Sequence, residues 1–315
     1  MKNIAIIGLG NIGYRHFESL LNFKKKINFY LIDNNYNRFA LLKKKLNKSI
    51  HDFKFLTDLK NIKLNFYLVI IATNSDSRLQ IVKKIVLSNN IKYIIFEKIV
   101  SSKIDDYKKI LSIMKKNRIK AFVNFPRREY DLFNYIKKKI SKNSRLLLYI
   151  SNKKINLGSN TIHYLDLFQY FKYTPIFKVF NQTLDKRIYK SKRKGFIVFK
   201  GKLSFSNNYN DFIFLDEGKS NLDCFLIKVD NLVFIIFESK NRYLEINLLN
   251  SKIKEKEYKN YFQSELTLNY LQKLISNKKI NLTSLEEALY THKTIIHTFN
   301  KHLKSISDNR KLAIT

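Results

Sequence analysis

The chain has 315 residues, 45% of them hydrophobic and 14% aromatic, enough for two packed domains and too apolar for a disordered protein. Its formal net charge is +35, from 60 Lys and Arg against 25 Asp and Glu, and the single cysteine, Cys224, excludes an internal disulfide framework and a cysteine-based zinc site. Lysine, Asn, Ile, Phe and Tyr are all inflated while Gly, Pro, Ala and Trp are scarce, so the charge reads first as compositional drift.

Lysine far outnumbers arginine, the residue that base-edge recognition favours, and the clusters at 24–26, 43–45, 137–139 and 190–194 are scattered. Nucleic acid is therefore not the expected partner, although a basic surface helps to attract an anionic substrate. The apolar start of the chain is too short for a secretory leader, and the runs at 66–72 and 231–237 are strand-sized. The expectation is a cytoplasmic protein with no membrane span.

In chain order, residues 3–8 (NIAIIG) predict a buried strand, and 11–23 an amphipathic helix with Ile12, Phe17, Leu20 and Leu21 at helical spacing. A second strand follows at 28–33, then a lysine-rich helix over 38–48. Two more buried strands, 66–73 and 92–98, flank a helix at 77–89, and a helix near 103–117 leads into a strand at 119–125. Strands of continuous apolar residues alternating with helices predict a parallel sheet covered on both faces.

Beyond Pro126 the pattern changes. A helix (131–140), a strand (145–151) and a helix (158–171) precede strand-like runs at 195–206, 211–216, 224–238 and 243–249 with no helices between them. Consecutive strands of this kind predict an antiparallel sheet. Two helices, 264–276 and 284–303, end the chain, the second with Thr283 or Ser284 placed to cap it. The fold class expected is α/β: an N-terminal Rossmann-type doubly wound parallel sheet over 1–123, then an α+β domain with an open, mostly antiparallel sheet over 124–315.

Three of the seven glycines of the chain fall within GLGNIG at 8–13, between a predicted strand and a predicted helix. In a dinucleotide-binding turn, Gly8 permits the sharp bend, Gly10 leaves room for a pyrophosphate, and Gly13 lets helix and strand approach. Asn11 and Ile12 then open the helix, whose N-terminus presents unpaired N–H groups to phosphates. Asp33 ends the next strand 20 residues past Gly13, where a carboxylate accepts hydrogen bonds from an adenosine ribose. That favours NAD, while Arg38 nearby leaves NADP open. A phosphate-free tight turn and the similar cofactor turn of a methyltransferase are the competing readings.

Further segments carry more information: IIATNSDSR (70–78), IIFEKIVSS (94–102), VNFPRREY (123–130), His163-Tyr164-Leu165-Asp166, and LTSLEEALYTHKTI (282–295). Together with the glycine turn, their order and spacing resemble the glucose-fructose oxidoreductase/inositol dehydrogenase (Gfo/Idh/MocA) family over nearly the whole chain, closest to its members in surface-polysaccharide sugar biosynthesis. The resemblance implies an NAD(P)-dependent oxidoreductase acting on a hydroxyl or keto carbon of a sugar or nucleotide sugar, and a homo-oligomer. It places Thr73, Asn74, Glu97 and Lys98 at the cofactor and makes Lys98, His163 and Asp166 the catalytic set. Asn74 and Ile99 stand where the family usually has proline, and Ser159 where members often have an acid.

The chemistry follows from residue types. His163 suits a general base near neutral pH, and Lys98 can stabilise negative charge on the reacting oxygen. Asn160, His163 and Asp166 are spaced by three and share one helix face, so Asp166 is placed to orient the imidazole or bind a substrate hydroxyl, and Asn160 to supply a polar contact to the substrate. Arg128 with Asn124 either holds a carboxylate or diphosphate of the substrate, or Arg128 joins Arg127 in salt bridges at the domain junction. His16, His51, His292, His297 and His302 lack comparable company, and no metal is expected. Two other classes stand beside the enzyme: a dinucleotide-binding sensor or partner protein without turnover, which Ile99 and Ser159 favour, and a nucleic-acid-associated basic protein, which leaves Asp33 and the glycines unexplained.

Overall fold

The structure, a computed structural model, describes residues 1–43, 46, 49–59, 63–172, 178–207, 210–218, 223–261, 265–307 and 310–314, with the backbone alone at Leu41. The elements begin β1 (Lys2–Ile7), α1 (Asn11–Leu21), β2 (Ile27–Ile32), α2 (Asn37–Lys43), β3 (Asp52–Leu56), β4 (Asn65–Ile71) and α3 (Arg78–Ser88). They continue with β5 (Asn90–Phe96), α4 (Ile104–Lys116), β6 (Lys120–Val123), α5 (Asp131–Lys137), β7 (Leu146–Ser151) and α6 (Leu157–Lys172). Nine strands follow: β8 (Lys178–Leu184), β9 (Tyr189–Lys190), β10 (Ile197–Val198), β11 (Gly201–Ser206), β12 (Phe212–Glu217), β13 (Cys224–Val229), β14 (Leu232–Phe237), β15 (Arg242–Asn247) and β16 (Lys252–Glu257). The described chain ends with α7 (Leu266–Ile275), β17 (Thr283–Ser284) and α8 (Leu285–Ser305).

Two compact units divide the chain: Met1–Pro126 with Tyr261–Glu286, and Arg127–Asn260 with Glu287–Thr315. The segment 261–286, assigned from sequence to the second domain, thus lies in the first unit. Its helix α7 packs against α1, and Thr283 and Ser284 pair antiparallel with Val123 and Phe122. Helix 38–48 is described only as Asn37–Lys43; residues 44, 45, 47 and 48, and the first residue of the 264–276 helix, lie outside the described residues.

The first unit is built on a seven-stranded sheet in the order β17-β6-β5-β4-β1-β2-β3, parallel except for β17. Ile4, Ala5, Ile6 and Ile7 in β1, and Leu68 to Ile71 in β4, are buried at consecutive positions, so both faces of the sheet are covered. This is why those strands read as unbroken apolar runs. β3 was not visible in the sequence: DFKFL is an edge strand with an exposed start, and it lacks such a run.

The second unit holds an eight-stranded sheet in the order β16-β15-β14-β13-β7-β12-β11-β8. Every neighbouring pair is antiparallel except β7 with β12. Burial alternates along β12 and β13, with Ile213, Leu215, Phe225 and Ile227 buried, which fits a sheet packed on one face. The run expected as one strand over 195–206 breaks at Phe199 and Lys200, and β11 starts at Gly201, whose φ of +114 favours glycine and whose Cβ would strike Thr183 O and Leu184 Cα. The run at 224–238 is a hairpin that turns at Asp230, φ +48. β16 carries no strand signal in the sequence because its charged run, KIKEKE, is almost wholly exposed.

Candidate functional site

The glycine turn joins β1 to α1 at the switch point of the first sheet, where β2 lies on one side of β1 and β4 on the other. Gly8 has φ +88, and a Cβ there would stand 2.7 Å from Thr73 Cγ2. A Cβ on Gly13 would overlap the Gly8 carbonyl oxygen. Packing within the protein therefore accounts for both of these glycines.

Gly10 is different. Its φ of −65 and ψ of −174 suit any residue, and the nearest atom to a Cβ would be Arg38 Nη1 at 3.6 Å. It occupies the N-cap of α1 without any side-chain cap, and the first helical bond is donated by Tyr14 N–H to the Gly10 carbonyl. The N–H groups of Asn11, Ile12 and Gly13 precede that bond and face outward from the helix end. A bare backbone with free space above it, at the positive end of a helix, fits a pyrophosphate.

Asp33, buried at the end of β2, accepts from Leu9 N–H (2.6 Å), Asn35 N–H (2.8 Å) and Arg38 Nη1 (2.7 Å). The carboxylate thus ties the glycine turn to the β2 loop and holds Arg38 beside Gly10. Its charge is matched by that guanidinium, which weakens the repulsion a 2′-phosphate would otherwise meet.

On the other side of β1, the loops after β4 and β5 carry Thr73, Asn74, Glu97 and Lys98. Thr73 and Lys98 are half-buried, Asn74 is exposed and Ile99 is fully buried. The Lys98–Ile99 peptide bond is cis. Glu97 points inward: its Oε1 lies 2.9 Å from His16 Nε2 and accepts from Asn124 Nδ2 at 2.6 Å. His16 Nδ1 is 2.7 Å from Thr267 Oγ1 on α7.

His16, which the sequence left without company, is therefore the centre of a buried network. Asn124 and Glu97 belong to that network too, and their described hydrogen bonds run to protein groups. Burial pushes the Glu97 carboxyl up, but the hydrogen bonds from His16 and Asn124 and the attraction of His16 and Arg78 outweigh it and hold the carboxyl below its ordinary 4.5. A depressed pKa stabilises the fold above 4.5, and that stability is lost as pH falls through the lower folded value. Glu97→Gln should accordingly flatten the acid limb of the melting temperature below about pH 5, measured against wild type by calorimetry.

In the second unit, α6 places Asn160, His163 and Asp166 one turn apart, with His163 and Asp166 buried. Both carboxylate oxygens of Asp166 accept from Arg128, Oδ1 from Nη2 at 2.7 Å and Oδ2 from Nε at 2.8 Å. Arg128 Nη1 also donates to Glu287 Oε1 at 2.9 Å. Burial pulls the Arg128 pKa down, but Asp166 and Glu287 outweigh it and hold the guanidinium above its ordinary value.

Of the two roles left open for Arg128, the structure thus displays ion pairing. The carboxylate expected to orient His163 or bind substrate is engaged by that same arginine. Asn160 donates to the Ile155 carbonyl at 2.6 Å. Arg127 forms a forked bond to both oxygens of Glu238, at 3.0 and 3.2 Å, and lies over the Tyr164 ring. Glu238 and Glu287 were not singled out by sequence, since each meets its arginine across more than a hundred positions.

Lys98 belongs to the first unit and His163 and Asp166 to the second. Among the described residues no three His, Cys, Asp or Glu side chains gather as a metal site, and no helix is long and apolar enough to cross a membrane.

A doubly wound parallel sheet with a glycine turn at its switch point, followed by a mostly antiparallel sheet, defines the two-part architecture of Gfo/Idh/MocA proteins. Residues 2–125 match the model of the oxidoreductase family GFO_IDH_MocA, NAD-binding Rossmann fold. Among the solved structures that match almost end to end are the following three. A Gfo/Idh/MocA family oxidoreductase from Vibrio cholerae has 12% identity over 98% of this chain and 100% of its own, with a TM-score of 0.72. An oxidoreductase from Agrobacterium radiobacter, in complex with NAD+, L-tartaric acid and magnesium, has 14% identity over 98% and 97%, also at 0.72. The super-repressor mutant of Gal80p from Saccharomyces cerevisiae has 13% identity over 96% of each chain, again at 0.72. At these identities the likeness is one of fold. No curated protein matches the sequence.

Proposed function

We propose that the protein is an NAD(P)-dependent oxidoreductase that moves a hydride between the nicotinamide ring and a hydroxyl or keto carbon of a sugar or nucleotide sugar, in the cytoplasm, for surface-polysaccharide synthesis. The observation that carries this reading is Gly10: a glycine that the protein's own packing does not require, set at an uncapped helix N-terminus beside Asp33. The bound dinucleotide supplies the hydride acceptor or donor. The amides of the α1 N-terminus hold its phosphates, and the Asp33–Arg38 pair meets the adenosine ribose.

Lys98 donates a hydrogen bond to the reacting oxygen and stabilises the charge that develops there. His163 takes the hydroxyl proton in oxidation and returns it in reduction. Asp166 keeps a positioning role in this scheme, since its pairing with Arg128 anchors the α6 face that carries His163. NAD is the preferred cofactor, and the charge-matched Asp33 lets NADP bind as well.

The first test is titration of NADH and NADPH against the purified protein, followed by nicotinamide fluorescence; no binding of either would sink the reading. Arg38→Ala should lower the NADPH-to-NADH affinity ratio about tenfold, the value of one charge-assisted phosphate contact. A panel of sugars and nucleotide sugars then follows, with Lys98→Ala and His163→Ala expected to lose turnover while still binding dinucleotide.

A second reading, a dinucleotide-binding regulator without turnover, is favoured by Ile99, Ser159 and the closed Arg128–Asp166 pair. Saturable NADH binding with no turnover on the whole panel would support it. A homo-oligomer is proposed from the uncovered sheet face, where Phe214, Tyr149, Leu226, Ile235 and Leu244 form a half-exposed apolar row across five strands. Sedimentation at monomer mass would contradict it.

A further inference from the structure

Arg78, the first residue of α3, is 2% exposed and ranks among the largest fully buried side chains described. A guanidinium taken out of water needs acceptors for its planar fork of donors. Here Nε and Nη2 both donate to the Thr73 carbonyl, at 3.1 and 2.5 Å. Nη1 donates to the carbonyls of Glu97 and of Ile99, the latter at 2.6 Å. One side chain therefore grips two loops, one after β4 and one after β5, and it holds the backbone on both sides of Lys98. A second tie, from Ser102 Oγ to Asp76 Oδ1 at 2.7 Å, joins the same two segments.

The loops so joined share a side of the sheet. With a pyrophosphate seated over Gly10 at the end of β1, Asp33 at the end of β2 would receive the adenosine half. The other half of the dinucleotide must extend toward β4 and β5, where Thr73, Asn74 and Lys98 stand. Ile99 lacks the ring with which a proline fixes its own φ, so the turn after Lys98 depends on outside support. The Arg78 fork provides that support.

We propose that Arg78 is the positioning residue for the nicotinamide half of the dinucleotide site, fixing Thr73 and Lys98 as one piece through the carbonyls of Thr73, Glu97 and Ile99. It deepens the dinucleotide reading and rests on it. A residue of this role affects one half of the ligand, whereas a merely structural residue affects both. The test compares NADH with ADP-ribose, which lacks the nicotinamide, on wild type, Arg78→Met and Arg78→Lys.

The expected result for Arg78→Met is about tenfold weaker NADH binding with ADP-ribose affinity within about twofold of wild type. Arg78→Lys keeps the charge but not the fork, so it should show the same split at about threefold, and it serves if the methionine variant does not fold. A parallel loss of both ligands, or no loss of either, overturns the assignment of Arg78 while leaving the dinucleotide site standing. Wild type that binds neither ligand removes the dinucleotide reading itself, and this proposal with it.

Discussion

Gly10→Val should fold as wild type does and should lose dinucleotide binding by about 100-fold or more. The backbone at Gly10 lies in a region open to every residue, and the nearest atom to a Cβ there is Arg38 Nη1, at 3.6 Å. A valine there costs the apo protein little. It would instead stand where a pyrophosphate must come close to the helix N-terminus, and the charge-assisted bonds to those amides are each worth about 1.5–3 kcal/mol. Melting temperature and NADH fluorescence, measured on the same preparation, separate the two effects. Gly13→Ala makes the contrasting control, because its Cβ would overlap the Gly8 carbonyl oxygen and so must push α1 away from β1. If Gly10→Val binds NADH like wild type, the glycine turn is not the cradle.

Arg128→Met should destabilise the second unit by about 3–5 kcal/mol, the usual loss when one member of a buried ion pair is removed. The side chains of Arg128 and Asp166 are 5% and 1% exposed, so the deletion leaves a carboxylate buried without its cation. Adding Asp166→Leu removes that stranded charge, and the double variant should regain much of the loss. Denaturant unfolding of wild type, the two single variants and the double variant gives the coupling directly. Simple addition of the two single losses would show that the pair does not couple.

These two cases also mark what the sequence could and could not reveal. The glycine turn, Asp33 and the alternation of strand and helix are local signals, carried within short windows by backbone geometry and apolar runs, so they were legible. The partners of the site are another matter. His16 meets Glu97 across 81 positions and Thr267 across 251, and Arg128 meets Asp166 across 38 and Glu287 across 159. Nothing in the neighbourhood of such residues announces the pairing, because folding alone brings them together. Arg78 lies within IIATNSDSR with nothing local to mark it, for the same reason: its acceptors are backbone carbonyls, which every residue has. The exposed edge strands β3 and β16 were missed because they lack the buried face that gives a strand its apolar pattern.

The return of residues 261–286 to the first unit bears on how the protein is made. Translation delivers the 1–126 part of the first unit, then the whole of 127–260, before the closing helix and edge strand of that unit are synthesised. Until then β6 has an unpaired edge, His16 lacks Thr267, and the Tyr107 hydroxyl lacks its acceptor, the Leu285 carbonyl. A nascent chain therefore carries its first unit incomplete until residues 261–286 are made. For the same reason, a recombinant fragment or domain swap cut after Pro126 would carry an open sheet edge, prone to pairing with other chains.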